Sequence, residues 1–238
     1  MEGGAARLLP DTRLRSSGRV RERARSIGLE GILPPNDPRG RHLLELEDGH
    51  LELRLLGSRL SPLWIDFTAR SGRSLLRQVL SRSRRVVDAT AGLGRDAWEL
   101  AGWGAEVWMA ESNPAVALLL GDALERASAD PQRRELAGRL HLRAARGEEV
   151  LAELRGWAEL AYLDPMFPPR RGGLPGRELQ ILSSLVSPSA GEELLLTCQQ
   201  LGYRRVAVKR PRVAPSLPGP RPSGAIHGKQ VRYDLYGF

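Results

Sequence analysis

The sequence predicts an α/β fold, with a mostly parallel sheet covered by helices on both faces and a small N-terminal β-rich unit ahead of it. Two observations carry this. From Arg85 onward, short apolar runs alternate with helical stretches, the pattern that buries parallel strands between two helix layers. Before that, the apolar runs are strand-like and closely spaced, with a turn signal between them.

Residues 1–41 mix Arg, Gly and Pro (Pro34, Pro35, Pro38) without sustained periodicity, so an irregular basic arm is expected. A β-rich unit over 42–80 follows, with strands at 43–46, 51–56 and 63–67. Glu47-Asp48-Gly49 joins the first two as a hairpin. A helix over 74–80 leads into the main domain, 81–238. There, strands are expected at 86–90, 106–110, 140–144, 160–163 and 205–208. Helices fall at 95–102, 115–127, 148–154, 177–186 and 192–201. Pro114 stands at the first turn of the second of these, where a missing N–H costs nothing. Gly191 precedes the last. Ile226 and residues 231–236 offer two short strands to complete the sheet edge. There are no internal repeats.

The 238 residues suffice for one full-sized core and a small accessory unit. No stretch reaches the ~18 uninterrupted apolar residues of a membrane span, so no membrane partner is expected. Residues 1–25 lack the compact apolar segment of a secretory signal. Their Arg and Gly content faintly resembles a transit peptide, and the plainer reading is a frayed basic arm. A single cysteine, Cys198, excludes an intrachain disulfide and a thiolate zinc cage, and the four His show no ligand spacing. No metal is expected, and a reducing cytoplasm is the expected compartment. The formal charge of +8 suits a polyanionic partner, because phosphate neutralisation releases counterions. Only Lys209 and Lys229 among the 36 basic residues are lysines, a skew of the kind GC-rich coding produces. Those two positions are candidates for a compact ammonium rather than a guanidinium fork.

The run from Val86 to Ala97, VVDATAGLGRDA, reads as a strand ending in a Gly-rich turn that opens a helix. Gly92 and Gly94 let the backbone turn tightly and approach a ligand, and the helix N-terminus behind them favours polar or anionic groups. Gly92-x-Gly94-x-x-Ala97 also satisfies the dinucleotide fingerprint, so alone it does not separate NAD(P) oxidoreductases from methyltransferases. Glu111 closes the next strand, where a carboxylate can accept both ribose hydroxyls of an adenosine ligand. Asp88 and Asp96 flank the turn; Asp96 also suits a helix first turn as a dipole-stabilising charge.

Tyr162-Leu163-Asp164-Pro165-Met166-Phe167-Pro168-Pro169 ends the fourth strand, at the sheet edge where ligands of open α/β folds bind. It resembles the Asp/Asn-Pro-Pro-Tyr/Phe motif of methyltransferases acting on exocyclic base amines. A planar amine donates two hydrogen bonds, which the Asp164 carboxylate and the Pro165 carbonyl can accept. Phe167 offers a ring face for a base. Asp164 could also take up the amine proton.

The chain resembles the RsmJ family of small-subunit (16S) ribosomal RNA guanine-N2 methyltransferases. The resemblance rests on the Asp88–Ala97 turn, Glu111 with Asn113-Pro114, Tyr162 to Pro168, Val208-Lys209-Arg210-Pro211, and Lys229 with Arg232-Tyr233-Asp234-Leu235-Tyr236. It implies a Rossmann-like class I methyltransferase fold, S-adenosyl-L-methionine as cofactor, and 16S rRNA or the small ribosomal subunit as partner. It implies that the cofactor meets Arg95 and Asp96 after the Gly turn, Glu111 and Ser112 at the ribose, and Arg146 and Gly147 beside the adenine, with Asp164 facing the methyl donor. Family members usually carry Arg at the place of Ser112 and small hydroxyl residues at those of Arg146 and Gly147. Around this cleft, Arg170, Arg171, Lys209 and Arg210 are the expected phosphate contacts. Competing readings are a base-amine methyltransferase acting on another RNA or on DNA adenine N6, an NAD(P) oxidoreductase, and a non-catalytic RNA-binding protein. The oxidoreductase leaves Asp164-Pro165-Met166-Phe167 unexplained, and intact Gly92, Gly94, Glu111 and Asp164 speak against a non-catalytic binder.

Overall fold

The computed structural model describes residues 12–14 and 42–47 as backbone, and 49–55, 57–67, 75–166 and 191–238 in full. The expected helix at 177–186 lies outside the described residues.

Strands β4 (Arg85–Asp88), β5 (Glu106–Ala110), β6 (Leu140–Arg143), β7 (Leu160–Leu163), β8 (Val206–Pro211), β9 (Gly224–His227) and β10 (Val231–Tyr236) form one seven-stranded sheet in the order β6-β5-β4-β7-β8-β10-β9. The five from β4 to β8 are parallel, and β10 runs antiparallel to both β8 and β9. The tail thus completes the sheet edge as expected, with its last strand placed inside its penultimate one. The chain runs outward from β4 to β6 and then returns to the other side of β4. The β4/β7 crevice is therefore the topological switch point, where strand ends splay and a ligand fits.

Alternation along these strands builds two cores. Val86, Leu160, Tyr162 and Ala207 face the helices α2 (Arg95–Gly102) and α3 (Pro114–Ala129). Val87, Ala161, Leu163, Val206 and Val208 face α5 (Gly147–Glu153) and α6 (Gly191–Gln200). Val86 and Val87 are both 0% exposed, which is why the strand reads as a continuous apolar run rather than an alternating one. Fully burying a side chain of this size is worth about 1.5–3 kcal/mol. The short helices α1 (Leu76–Leu80) and α4 (Arg134–Ala137) complete the described helices.

Asn113 starts α3. Its Oδ1 accepts from the backbone N–H of Ala115 (3.0 Å) and Val116 (3.2 Å), and Pro114 follows at the first helical position. Such a cap is worth about 0.5–2 kcal/mol. It also fixes the chain that carries Glu111, two residues upstream.

The N-terminal hairpin pairs β2 (His42–Glu47) with β3 (His50–Leu55). Within the segment expected to be irregular, β1 (Thr12–Leu14) pairs parallel to β2. The expected strand at 63–67 is not one. Leu63 makes a single bridge to Leu53, and beyond it the Ile65 carbonyl accepts from the Arg126 guanidinium of α3 instead of a neighbouring strand. The alternating burial of Leu63, Ile65 and Phe67 is real, but it belongs to an extended strap over the helices. Asp122 ties the same region down, accepting from Leu51 N (3.2 Å) and from Arg126 Nε (2.9 Å).

Candidate active site

Three acids stand at the carboxyl ends of adjacent strands: Asp88 on β4, Glu111 after β5 and Asp164 after β7. Strand β4 stops at Asp88, two residues earlier than expected. The Asp88 Oδ1 accepts from Thr90 N at 3.0 Å and draws the chain into the turn. Gly92 (φ 52°) and Gly94 (φ 70°) then take left-handed backbone that only glycine adopts freely. Gly94 has a second reason to be glycine. A Cβ there would lie 2.6 Å from Leu120 Cδ1 and 3.3 Å from the Phe67 ring, so a side chain would push the turn off α3.

Glu111 is buried at 8% exposure and braces this turn. Its Oε2 accepts from Gly92 N at 2.9 Å and its Oε1 from Asn113 N at 2.7 Å. Burial pushes its carboxyl up to about 7, against the opposing pull of these backbone amides. The Ser112 amide adds to this pull, and a carboxylate has about four lone-pair positions, so acceptor capacity remains for a diol. Asp88 is pushed further, to about 8, first by burial and then by Asp96 and Asp164, with Thr90 N and Lys209 opposing.

Asp164 is placed through its backbone and its side chain. Its N–H donates to Thr90 Oγ1 at 2.6 Å, which couples the β7 terminus to the Gly turn. Its Oδ2 accepts from Lys209 Nζ at 2.9 Å, and the same ammonium donates to Asp96 Oδ2 at 2.6 Å. Asp96 Oδ2 also accepts from the buried Tyr162 hydroxyl at 2.6 Å. Burial holds the Asp164 carboxyl above its ordinary value, with Asp96 adding to the rise and Lys209 only partly offsetting it. Burial alone would lower the Lys209 ammonium, but Asp164 and Asp96 more than reverse this and hold it above the ordinary lysine value. Pro165 is buried against the start of α6, where a Cβ on Gly191 would sit 2.5 Å from its Cγ.

Comparison with known proteins agrees with this architecture. The family model for SAM-dependent methyltransferases, where SAM is S-adenosylmethionine, matches residues 33–238. A ribosomal RNA small subunit methyltransferase J from Neisseria gonorrhoeae is 35% identical over 244 residues, covering 96% of this chain and 95% of that protein. The chain belongs to this methyltransferase family. A protein of the same name from Pseudomonas aeruginosa is 43% identical over 155 residues, 64% of this chain, and the chain spans 59% of that relative's length. The crystal structure of a SAM-dependent methyltransferase from Neisseria gonorrhoeae superposes with a TM-score of 0.72 at 32% identity, covering 95% of each chain. The fold is thus the Rossmann-like α/β fold of this family, and its cofactor is S-adenosylmethionine. The residues present fit that cofactor: a buried carboxylate with acceptor capacity remaining, beside a glycine turn that opens a helix.

Of the residues picked out by sequence, the fold brings Asp88, Gly92, Gly94, Asp96, Glu111, Asp164 and Pro165 together around one crevice. Arg95 and Ser112 lie exposed at the starts of their segments. Arg146 is exposed and pairs with Glu148 at 3.4 Å. Gly147 is buried because a Cβ would fall 2.4 Å from the Ala89 carbonyl, so the start of α5 lies directly on the turn. Phe167, Arg170 and Arg171 lie outside the described residues.

Lys209 and Arg210, expected as phosphate contacts, have their cations engaged within the protein. Neither presents its cation outward to a phosphate. Lys209 is committed to Asp96 and Asp164, while Arg210, on the opposite face of β8, is buried and donates through Nε to the Pro215 carbonyl at 3.0 Å. Beside it, Arg232 Nε donates to Asp234 Oδ1 at 2.7 Å and Nη1 to the Arg212 carbonyl at 2.9 Å. The basic and acidic residues of the tail motif therefore hold the turn after β8.

Sequence reading missed three residues of the crevice: Thr90, Tyr162 as a hydroxyl donor, and Gly191 as the seat of Pro165. The Thr two residues after Asp88 is the one with a local signal, since such a spacing invites a side-chain turn. Among the described residues, no group of three or more His, Cys, Asp or Glu is arranged to hold a metal. None of the described helices is long and apolar enough to cross a membrane.

Proposed function

We propose that this chain transfers a methyl group from S-adenosylmethionine to the exocyclic N2 amine of a guanosine in 16S rRNA, acting on the RNA or on the small ribosomal subunit in the cytoplasm. The observation that carries the reading is the placement of Asp164-Pro165 at the end of β7, with only β4 between it and the strand that ends in Glu111, and with the turn after β4 bonded to both acids' segments through Thr90 and Gly92. The names of the curated relatives supply the small-subunit rRNA as substrate. The Asp-Pro chemistry supplies the amine.

Glu111 would accept the ribose hydroxyls, with the Gly92–Gly94 turn and the α2 N-terminus beside it. Arg95, Asp96, Ser112, Arg146 and Gly147 form the remaining expected contacts. When bound, S-adenosylmethionine supplies an electrophilic sulfonium methyl. Asp164 and the Pro165 carbonyl hold the amine by its two hydrogens, which orients the nitrogen lone pair and raises its electron density. The N–C bond would form as the sulfonium–methyl bond breaks and S-adenosylhomocysteine leaves as a neutral thioether, after which the nitrogen bears one proton too many. Asp164 or solvent removes it and leaves a neutral secondary amine.

Asp164→Ala tests this. Single-turnover transfer at saturating cofactor should fall by about 10²–10⁴-fold, while affinity for S-adenosylhomocysteine is kept. Near-normal turnover would mean that another residue holds the amine. Nucleoside mass spectrometry of rRNA from cells with and without the protein tests the substrate, and an unchanged N2-methylguanosine content would overturn it.

A further inference from the structure

Lys209 is absorbed neither by cofactor binding nor by the amine-holding pair. Three features set it apart. It is one of only two lysines in a chain that otherwise uses Arg for its cations. Its ammonium lies between two carboxylates, 2.6 Å from Asp96 and 2.9 Å from Asp164. And Asp96 is itself anchored by the Tyr162 hydroxyl, donated from the strand that ends in Asp164. The result is a brace running from β7 through Asp96 on α2 to Lys209 on β8 and back to Asp164. A guanidinium fork is broader than an ammonium and would not fit between two acceptors so placed without moving one of them.

We propose that Lys209 is a positioning residue for methyl transfer: its ammonium fixes one oxygen of Asp164 and so leaves the other, ionised, for the base amine. This rests on the reading of Asp164 given above and adds to it. A carboxylate free to rotate presents either oxygen or, when protonated, a hydroxyl that would donate toward the amine instead of accepting from it. Lys209 restrains the rotation through its 2.9 Å contact and opposes the protonation that burial favours. Among the described residues, the groups that face Asp164 are Lys209 on β8, Asp96 on α2 and Asp88 on β4. Tyr162 on β7 and Tyr233, the β10 residue paired with Lys209, complete the surroundings. Among the described residues Lys209 is the cation of this set, and without it the described groups around Asp164 are negative or neutral.

The brace also changes what Asp164→Asn should do. Sequence reasoning alone expects Asn to serve nearly as well, because it keeps one acceptor oxygen. With Lys209 in place that oxygen turns to the ammonium, and the Asn NH₂ faces the amine as donor against donor. The Asn defect should therefore be severe beside Lys209 and milder once Lys209 is neutral.

The experiment compares wild type with Lys209→Met, Lys209→Gln and Lys209→Arg, and with Asp164→Asn in the wild-type and Lys209→Met backgrounds. S-adenosylhomocysteine affinity by calorimetry reports folding and the cofactor site. Carbon NMR of the Asp164 carboxyl reports its titration independently of turnover. In both neutral variants the Asp164 titration and the acidic limb of the single-turnover pH profile should move up by about 1–3 pH units, the range by which a neighbouring cation shifts a carboxylate. Lys209→Arg should restore the limb but only part of the rate, and the Asp164→Asn defect should shrink in the Lys209→Met background. If Met disrupts folding, Gln carries the same neutralisation with a polar head that bonds both carboxylates. An unmoved titration and limb in a variant that still binds S-adenosylhomocysteine overturns the role of Lys209. That result is distinct from near-normal turnover in Asp164→Ala, which overturns the reading beneath it.

Discussion

Asp88 should make the fold lose stability as the solution becomes less acidic, and Asp88→Asn should remove that loss. The carboxyl is 2% exposed, and burial is the main reason its proton is held up to about 8, against an ordinary 3.8. The folded state thus binds this proton more tightly than the unfolded chain does. The contribution is full below about 3.8 and declines as pH rises through about 8. Within that window the slope is about 1.4 kcal/mol per pH unit, so between about pH 5 and about pH 7 one residue removes about 3 kcal/mol. That is a large part of a typical total of about 5–15 kcal/mol. Asn keeps an acceptor for Thr90 N, which donates at 3.0 Å, and never ionises. Glu111 contributes a decline of the same sign, since its carboxyl is raised from 4.5 to about 7, and this part should persist in the variant. Urea unfolding without cofactor, repeated across this pH range, should give a profile for Asp88→Asn that falls less steeply than wild type by one residue's share. Parallel profiles would refute the reasoning, because they would show that the Asp88 proton is bound equally in the folded and unfolded states.

Two further outcomes follow from the same site. Glu111→Ala should weaken S-adenosylhomocysteine binding by about 1.5–3 kcal/mol, the worth of a charged acceptor. Wild-type affinity should itself fall as pH drops through about 7, where Glu111 takes up its proton; calorimetry checks both, and NAD binding more tightly than S-adenosylhomocysteine would contradict the assignment. Gly191→Ala places a Cβ 2.5 Å from Pro165 Cγ, so it should displace the Asp164-Pro165 segment and depress transfer while cofactor affinity is retained, as single-turnover assays and calorimetry would show.

What the sequence made legible is what local chemistry determines. Strand β4, its glycine turn and the helix behind it depend on residues within one short run, and Asn113-Pro114 declares the start of α3 by itself. The acids Asp88, Glu111 and Asp164 could be placed because each ends a recognisable strand, and a parallel sheet brings strand ends to a common edge. The strap at 63–67 misled for the converse reason. Its alternating apolar residues are genuine, but whether an extended segment joins a sheet depends on a partner elsewhere, and here the Ile65 carbonyl finds Arg126.

The brace at Asp164 was hidden by distance along the chain. Lys209 meets residues 113 and 45 positions away, and Tyr162 meets Asp96 across 66. No periodicity reports such contacts. Yet part of the placement of Lys209 and Arg210 could have been anticipated. The fifth strand was expected to end at Val208, which left both cations on a loop and free to face one cleft. It continues to Pro211, paired residue by residue with β10. Neighbours on a strand point to opposite faces, so the two side chains could not act together. Lys209 falls on the face shared by Ala207 and Tyr162, where Asp96 waits. Arg210 falls on the face of Val208, where the turn after β8 folds back to present Pro215. The antiparallel tail extends β8, the extension fixes the alternation, and the alternation delivers one ammonium to the acids at the crevice.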